Sequence, residues 1–315
     1  MHQLSRVFLT LTLLIVSASY SQKKSVDAKS ISEKITINGE LDENIWNTAK
    51  VATDFVMLEP DNGVPIATEK KTEVRILYDN EAIYVAALLY DNQPDLILKE
   101  MTQRDNFGTA DHFGIYINGF NDGQQDFRFY VSAAGVQMDC LATEANEDYS
   151  WDAIWSSSVN ITEFGWVVEM RIPYAALRFS EEDKQTWGLN LYREIKRDRQ
   201  KYTWSPLDMK IGAFLPQAGI LEGIENIKPP VRLFFIPYAS YYYEKNETTS
   251  NHTFKGGMDI KYGINDSFTL DAILVPDFGQ TVYDNVQLNL GPFEQQFNEN
   301  RPFFTEGTDL FNKGG

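Results

Sequence analysis

The chain has 315 residues, of which 43% are hydrophobic, so it can bury one or two cores and is not a disordered tail. Its 45 acidic and 28 basic side chains give a formal charge of −17, which makes a phosphate-rich nucleic acid an unfavourable partner. Cys140 is the only cysteine, which excludes intrachain disulfides, cysteine-rich zinc sites and iron–sulfur clusters.

The first 21 residues have the layout of a secretory signal peptide. Arg6 precedes the apolar run 7–16, which is too short to cross a hydrocarbon core of about 30 Å. Small residues then stand three places and one place before Gln22, as at a cleavage site. The sequence therefore predicts an exported protein whose mature chain begins at Gln22 and continues with a flexible lead over residues 22–30.

Short segments of alternating apolar and polar residues dominate residues 31–228. Turn signals separate these segments, which predicts strands of an antiparallel β-sandwich. Ala82–Tyr90 is apolar at both parities, which predicts a central strand buried on both faces. Leu41–Lys50 predicts one short helix. The other alternating segments are 74–78, 113–117, 127–131, 136–140, 166–172 and 187–191.

A change of domain is predicted at the two prolines 229 and 230, because proline cannot extend a central strand or a helix. In the hairpin that follows, the apolar residues of both arms have even numbers, so a shared apolar face requires a loop with an odd number of residues. Asn265–Ser267 meets this requirement. The predicted facing pairs are Tyr262 with Leu270, Ile260 with Ala272, and Lys261 with Asp271. This pattern fits a transmembrane barrel hairpin and, equally, a half-exposed hairpin of a soluble protein.

Residues 31–206 contain an ordered set of motifs that resembles the carbohydrate-binding module family 9-like domains. The opening motif is Ile37–Trp46 and the closing one is Trp187–Asn190. Between them lie Val74–Asp79, Ile83–Val85, Arg104–Phe107, Trp151–Trp155 and Gly165–Pro173. The resemblance implies a β-sandwich over residues 31–228 that binds sugars, often with structural calcium.

Two later motifs, Val275–Gln280 and Glu299–Phe304, resemble a junction in uncharacterised Gram-negative outer-membrane proteins, where such a sandwich precedes a large β-barrel. The resemblance implies that residues 229–315 begin an outer-membrane barrel domain. A closed barrel needs at least about eight strands, and this stretch supplies only a few. The expected fold is therefore all-β, an antiparallel β-sandwich followed by a few meander strands of an incomplete barrel. Either the sequence is a fragment, or its C-terminal part folds in another way.

Sugars stack their C–H faces on aromatic rings, while carboxylates, amides and arginine hold their hydroxyls. On this chemistry the candidate ligand-binding residues are Trp151, Asp152, Trp155, Arg104, Asp105 and Asp111. The three aspartates could instead ligate calcium through oxygen. Structural alternatives exist for all six, because tryptophan is usually well buried, aspartate forms turns, and arginine pairs with neighbouring carboxylates.

No catalytic motif stands out in the sequence. It has no serine nucleophile elbow, no zinc-binding histidine pair and no phosphate-binding glycine loop. We expect a non-catalytic module that binds a poly- or oligosaccharide outside the cytoplasm. Two alternatives remain open at this point. One is a glycoside hydrolase or an accessory part of one, and the other is a sandwich that plugs or gates an outer-membrane protein without binding sugar.

Overall fold

A computed structural model describes residues 23–149, 151–246, 249–264 and 268–274. The predicted signal peptide 1–21, the hairpin loop 265–267 and the junction motifs 275–280 and 299–304 lie outside the described residues. Within the described part of the chain, no helix has both the length and the apolar character needed to cross a membrane.

Strands, numbered in chain order, account for about half of the described chain. They are β1 (Ser25–Asp27), β2 (Lys29–Ser30), β3 (Val51–Ala52), β4 (Val56–Glu59), β5 (Thr72–Tyr78), β6 (Ala82–Tyr90), β7 (His112–Asn118), β8 (Asp126–Ser132), β9 (Gln137–Ala142), β10 (Glu147–Asp148), β11 (Ser156–Thr162), β12 (Gly165–Pro173), β13 (Lys184–Ile195), β14 (Gln200–Thr203), β15 (Gly219–Glu225), β16 (Leu233–Lys245), β17 (Ser250–Gly263) and β18 (Thr269–Ile273). Short 3₁₀ helices cover Asn44–Thr48, Thr68–Lys70, Pro94–Leu96, Tyr174–Ala176, Lys196–Asp198 and Leu215–Gln217.

Two sheets form the predicted sandwich. Sheet A has nine strands in the order β1-β15-β13-β7-β8-β9-β10, with β14 pairing with β13 and β4 pairing with β14. Sheet B has the order β11-β12-β6-β5-β2, with β3 added beside β5. Side chains at alternate positions of both sheets share one apolar core, as sheet packing requires. The expectation of an all-β sandwich is confirmed.

The strand predicted to be central is central. β6 lies between β12 and β5 in sheet B, and seven of its nine residues are buried. One of its faces contributes Val85 and Leu89 to the core between the sheets. Its other face contributes Tyr84 and Ala86 to a second cluster beneath the segment that precedes β3. A layer on each face explains why this strand is apolar at both parities.

Residues 22–30, predicted to be a flexible lead, include two short strands. β1 runs parallel to β15 in sheet A, and β2 runs parallel to β5 in sheet B. The chain start thus connects both sheets of the sandwich. Val26 and Ala28 supply the reason, because both are buried in the main core in spite of their polar neighbours.

The motif Ile37–Trp46 forms a turn held against the outer face of sheet B. The Glu169 carboxylate of β12 accepts hydrogen bonds from the backbone N–H groups of Asn38 and Gly39, at 2.9 and 2.8 Å. Trp46 is buried in the cluster that this segment covers. The helix predicted over Leu41–Lys50 is a 3₁₀ helix of five residues, and no side chain caps its start.

A third sheet follows the sandwich, in the order β16-β17-β18. Its register has Tyr262 opposite Leu270, Ile260 opposite Ala272, and Lys261 opposite Asp271. These are the facing pairs predicted from residue parity alone, so the register prediction is confirmed.

Candidate functional site

The outward positions of sheet A are unusually aromatic. Apolar residues such as Phe113 and Ile115 point into the core, so the residues between them face outward. The outward residues of the three central strands include Gly114 and Tyr116 on β7, Arg128 and Tyr130 on β8, and Asn190 and Tyr192 on β13. This face therefore combines three tyrosines with a charged side chain and an amide.

A cleft of about 540 Å³ lies on this face. The tyrosines form its floor, and the loop 105–108 forms one wall. Glu147 and Tyr149 form a second wall at the β10 edge. The remaining lining residues are Leu58, His112, Arg128, Met138, Glu194, Lys196, Lys201, Thr203, Leu207 and Phe214. The volume falls within the usual range for small-ligand sites.

Gly114 lies at the centre of the floor and lets the Tyr130 ring lie across the sheet. It pairs with Tyr192 on one side and Tyr130 on the other. A Cβ atom built on Gly114 would lie 2.5 Å from the Tyr130 ring, closer than real Cβ atoms approach. The glycine is therefore required for the ring to occupy this position.

The floor tyrosines support each other through rings and hydroxyls. The Tyr116 and Tyr192 rings are stacked with centroids 5.9 Å apart, and Tyr130 meets Tyr116 edge-on at 5.5 Å. The Tyr130 hydroxyl donates to the Tyr116 hydroxyl at 3.1 Å. Burial raises the pKa of both Tyr116 and Tyr130 well above the ordinary value. The floor is consequently an uncharged aromatic surface.

Arg128 links the floor to the β10 wall. Its guanidinium carbon lies 4.4 Å from the Tyr116 ring centroid, a cation–π contact. The guanidinium also donates to Glu147, whose other oxygen accepts the Tyr149 hydroxyl. Tyr149 is 41% exposed, so a ring at the mouth of the cleft is held by hydrogen bonding yet remains accessible.

Two buried polar atoms of the lining have no hydrogen-bond partner among the described residues. They are Nε of Arg128 and Oγ1 of Thr203. A buried polar group without a partner costs about 1–3 kcal/mol, so such groups normally meet water or a ligand. Both atoms are buried, so neither is open to an occupant of the cleft.

His112 and Glu194 occupy the end of the cleft near β14. His112 Nε2 lies 3.4 Å from Glu194 Oε2, which also accepts the Tyr192 hydroxyl at 2.8 Å. Burial lowers the pKa of His112 to about 4, so the imidazole is neutral at neutral pH. Burial alone would raise the pKa of Glu194, but hydrogen bonding to Lys196 and the nearby His112 bring it below its usual value.

Three of the six predicted site residues come together beside the first wall. Arg104 Nε donates to Asp152 at 3.1 Å, and it lies 3.7 Å from the Asp105 carboxylate. Arg104 also pairs with the buried Asp139 of β9. Of these residues only Asp105 lines the cleft. The arginine therefore has neighbouring carboxylates as partners, and a role in ligand contact stays a prediction.

The other three predicted site residues pack inside or behind the sandwich. Trp155 is 7% exposed and meets Phe129 edge-on at 5.5 Å. Trp151 is half-buried and meets Phe129 at 5.9 Å. Asp111 is buried and accepts the backbone N–H of Lys196 at 2.9 Å. Both tryptophans thus extend the core between the sheets, and none of the three lines the cleft.

The cleft tyrosines were not among the residues singled out from the sequence, although the signal was present. Alternation identified the inward residues of β7, β8 and β13 as core. The outward residues are the opposite parity of the same segments, and three of them are tyrosines. Aromatic residues at the outward positions of three neighbouring strands are a stronger indication of a binding site than tryptophans in a family motif, since tryptophan is usually buried.

A metal site was also expected from the family resemblance. Among the residues that the structure describes, no group of three or more His, Cys, Asp or Glu side chains is arranged to hold a metal ion. The acidic residues near Arg104 are held by that arginine instead. Calcium binding, which the family resemblance implies, stays a prediction.

The solved structures similar to this chain include three that are described as carbohydrate-binding. A family 9 carbohydrate binding module from Caldicellulosiruptor kristjanssonii, in complex with cellotriose, is 15% identical, with a TM-score of 0.46 over 65% of this chain and 100% of that chain. The same module in complex with glucose is 16% identical, with a TM-score of 0.46 over 66% and 100%. A putative carbohydrate-binding protein from Bacteroides uniformis is 14% identical, with a TM-score of 0.48 over 64% and 99%.

Comparison with known families assigns both parts of the chain. No curated protein matches it. Residues 229–315 match a domain of unknown function, DUF5916. Residues 37–205 match the family described as carbohydrate family 9 binding domain-like, and this match spans more than half of the chain. The protein therefore belongs to the carbohydrate family 9 binding domain-like family.

Proposed function

We propose that the sandwich is an exported, non-catalytic module that binds a poly- or oligosaccharide in the cleft on the outer face of sheet A. The observation that carries the proposal is the accessible Tyr149 ring beside Glu147 and Arg128, in a domain of a carbohydrate-binding-like family. A sugar ring stacked on Tyr149 would have the Glu147 carboxylate within reach of its hydroxyls.

A binding role fits the cleft chemistry better than hydrolysis. A glycoside hydrolase needs one carboxylic acid with a raised pKa and a second carboxylate across the bond to be cleaved. The pKa of Glu194 is instead below its usual value, with Lys196 and Tyr192 bonded to its carboxylate. The other cleft glutamate, Glu147, is bonded to Arg128 and Tyr149. Burial raises the pKa of the third cleft carboxyl group, Asp105, but this group accepts the Asp139 backbone N–H and lies beside Arg104. These carboxylates are suited to orient hydroxyl groups.

The proposal is tested by titrating the full chain with glucose, cello-oligosaccharides and xylo-oligosaccharides in a calorimeter. We expect saturable binding, and we expect Tyr149→Ala to weaken it about tenfold through loss of one stacking contact and its hydrogen bond. Phe164→Ala is the matched control, because Phe164 is 40% exposed but lies on the turn between β11 and β12 of sheet B. It should leave the affinity unchanged.

Two results would contradict saccharide recognition at this cleft. Absence of binding across the panel at millimolar sugar would remove the proposed function and favour a structural plug or gate. Binding that is equally strong in wild type and Tyr149→Ala would move the site elsewhere. The predicted site around Trp151 and Asp152 would then be the next place to substitute.

We further propose that the third sheet contacts the lipid of an outer membrane through one face. That face carries Leu233, Phe235, Tyr241, Phe254, Tyr262 and Leu270, and all six are exposed. The opposite face carries the charged residues Lys255, Asp259 and Lys261. On β16 the apolar face runs from Leu233 to Tyr243, which is ten residue steps or about 34 Å. If the strand is tilted by about 40°, this length corresponds to the apolar height of about 25 Å of a membrane barrel.

The membrane proposal is tested by flotation of the full chain with phosphatidylcholine vesicles. We expect the chain to float and Phe235→Arg to abolish flotation, because a charge on the lipid face costs about 2–4 kcal/mol. Phe234→Arg is the matched control, since the adjacent phenylalanine lies on the opposite face and pairs with Lys261. Equal flotation of both variants would contradict a lipid-facing side.

A further inference from the structure

We infer that Arg104 is a positioning residue that fixes two walls of the cleft to strand β9, an inference that rests on the proposed saccharide function of this cleft. The first wall is the loop 105–108, which follows Arg104 directly. The second wall contains Glu147 and Tyr149, and it is followed by the segment 152–153 that Arg104 also contacts.

The first wall is attached to β9 by side chain and backbone together. The Arg104 guanidinium pairs with Asp139 and donates to the Gln137 side chain at 2.7 Å. The backbone N–H of Asp105 donates to the Gln137 carbonyl at 3.1 Å. The Asp105 carboxylate in turn accepts the Asp139 backbone N–H at 3.3 Å. Four contacts thus hold this loop on two neighbouring inward positions of one strand.

The second wall returns to the same two residues. Arg104 donates to the Asp152 carboxylate at 3.1 Å and to the Ala153 carbonyl at 3.3 Å. The Ala153 backbone N–H donates to Asp139 at 2.6 Å. Ala153 is four residues beyond Tyr149, so the exposed ring and the arginine share one short stretch of chain. Arg104 and Asp139 therefore connect both walls through a single point behind the cleft.

The geometry favours positioning over ligand contact. Arg104 does not line the cleft, and all three of its guanidinium nitrogens already donate to protein groups. The Asp139 side chain is fully buried, with one oxygen on Arg104 and the other on Ala153. A planar fork can serve several acceptors at once, whereas the ammonium group of lysine cannot reproduce that arrangement.

The inference is tested first without any sugar, by amide hydrogen exchange on the full chain. In Arg104→Ala and in Asp139→Asn we expect the amides of Asp105 and Ala153 to exchange about tenfold faster or more. In wild type, local opening has to break these ion pairs, and in the variants it does not. Arg104→Lys should lie between these variants and wild type. The matched control is Arg171→Ala, which removes a similarly exposed arginine and its pair with Glu81 on sheet B.

The second readout is saccharide affinity by calorimetry. We expect Arg104→Ala and Asp139→Asn to weaken binding by a similar factor of about ten, with partial recovery in Arg104→Lys and no change in Arg171→Ala. Agreement between the first two variants is diagnostic, because a fully buried Asp139 cannot touch a ligand. A loss of affinity in Arg104→Ala without one in Asp139→Asn would make Arg104 a ligand contact and overturn the inference.

The two readouts separate this inference from the proposed function. If the wild-type chain binds none of the sugars, the proposed function fails, while exchange at Asp105 and Ala153 still decides whether Arg104 fixes the walls. Unchanged exchange at both amides in Arg104→Ala and Asp139→Asn would overturn the positioning role, whatever the affinities are.

Discussion

Gly114 shows how a single missing side chain shapes the cleft. Its lack of a Cβ atom lets the Tyr130 ring lie over β7, and Tyr130 in turn supports Tyr116 through ring and hydroxyl contacts. Strand interiors usually disfavour glycine, so its presence at the centre of a sheet indicates a close approach by another group. Here that group is a ring of the cleft floor.

We expect Gly114→Ala to destabilise the chain by about 1–3 kcal/mol, because the new methyl group overpacks against Tyr130. The same displacement should weaken saccharide binding. Urea unfolding and calorimetry measure the two effects. Gly256→Ala is the control, since a Cβ at this strand glycine would meet its neighbours at ordinary distances of 3.4 Å or more. Equal stability of the two variants would contradict the steric account.

Asp111 gives the stability of the chain a component that depends on pH. Burial raises the pKa of its carboxyl to about 6, against an ordinary value of 3.8, while the Lys196 backbone N–H acts in the opposite direction. A raised folded-state pKa means that the folded chain holds the proton more tightly than the unfolded chain between these two values. The contribution to stability is therefore complete below pH 3.8 and is lost as pH rises through about 6.

Asp111→Asn should remove this loss. Relative to wild type, the variant should gain up to about 3 kcal/mol of unfolding free energy between pH 3.8 and pH 7, while its amide oxygen still accepts the Lys196 N–H. Urea titrations at the two pH values measure the difference. Asp95→Asn, at an exposed position, is the control. A stability difference that does not change with pH would show that Asp111 titrates normally.

Among the structural elements, the turn at Asn38 and Gly39 depends most visibly on its environment. Gly39 has a φ of +86°, and a Cβ there would lie 3.1 Å from the backbone of Val159 in β11. The Glu169 carboxylate holds the two N–H groups of this turn from β12. The turn is thus pressed between a hydrogen-bonding strand and its neighbour.

We expect Gly39→Ala to cost about 1–3 kcal/mol for the left-handed backbone and a further amount for the clash with Val159. Gly63→Ala is the matched control, because Gly63 has the same φ of +86°. A Cβ atom at Gly63 would meet no atom within 4 Å. The difference between the two variants in urea unfolding isolates the clash. Equal losses would mean that the turn can move away from β11.

Strand identity could be predicted from the sequence to a large extent, because burial of one face imposes a period of two. This period predicted β6, β7 and β12. The parity of Tyr262 and Leu270 predicted the register of β17 against β18. The joining of β1 to β15 could not be predicted, since pairing over such a separation leaves no local pattern. The sequence predicted a longer helix where the structure has a short 3₁₀ helix at Asn44–Thr48. The difference arises because the packing of Trp46, and not helix propensity, decides the conformation of this segment.

The candidate site was less predictable than the fold. Asp105 is the single predicted site residue that also lines the cleft. Trp151 and Trp155 were expected at a sugar surface, yet their rings pack against Phe129. Side-chain type cannot distinguish a stacking tryptophan from a core tryptophan, since both need a flat apolar surface. The distinction depends on whether a side chain points into the core or away from it, and that is decided by how its segment packs on the sheets.

The chain as a whole has a formal charge of −17, but the lining of the cleft does not share this excess of acidic residues. Three acidic and three basic side chains line it, and the cleft pairs are Arg128 with Glu147 and Lys196 with Glu194. Lys201 pairs with Glu59 outside the lining. With His112 neutral, the cleft has no net charge in an acidic protein. An uncharged ligand fits such a surface.

The parallel pairing of β1 with β15 joins Ser25 to Ile220 and thereby connects the start and end of the sandwich. Forming a contact between such distant parts of the chain closes a long loop, and the loss of chain entropy opposes the contact before it can stabilise the fold. Sheet A therefore cannot be completed during synthesis until β15 has been made. Up to that moment β1 has no partner in sheet A, so closing this sheet joins the first strand of the sandwich to the last.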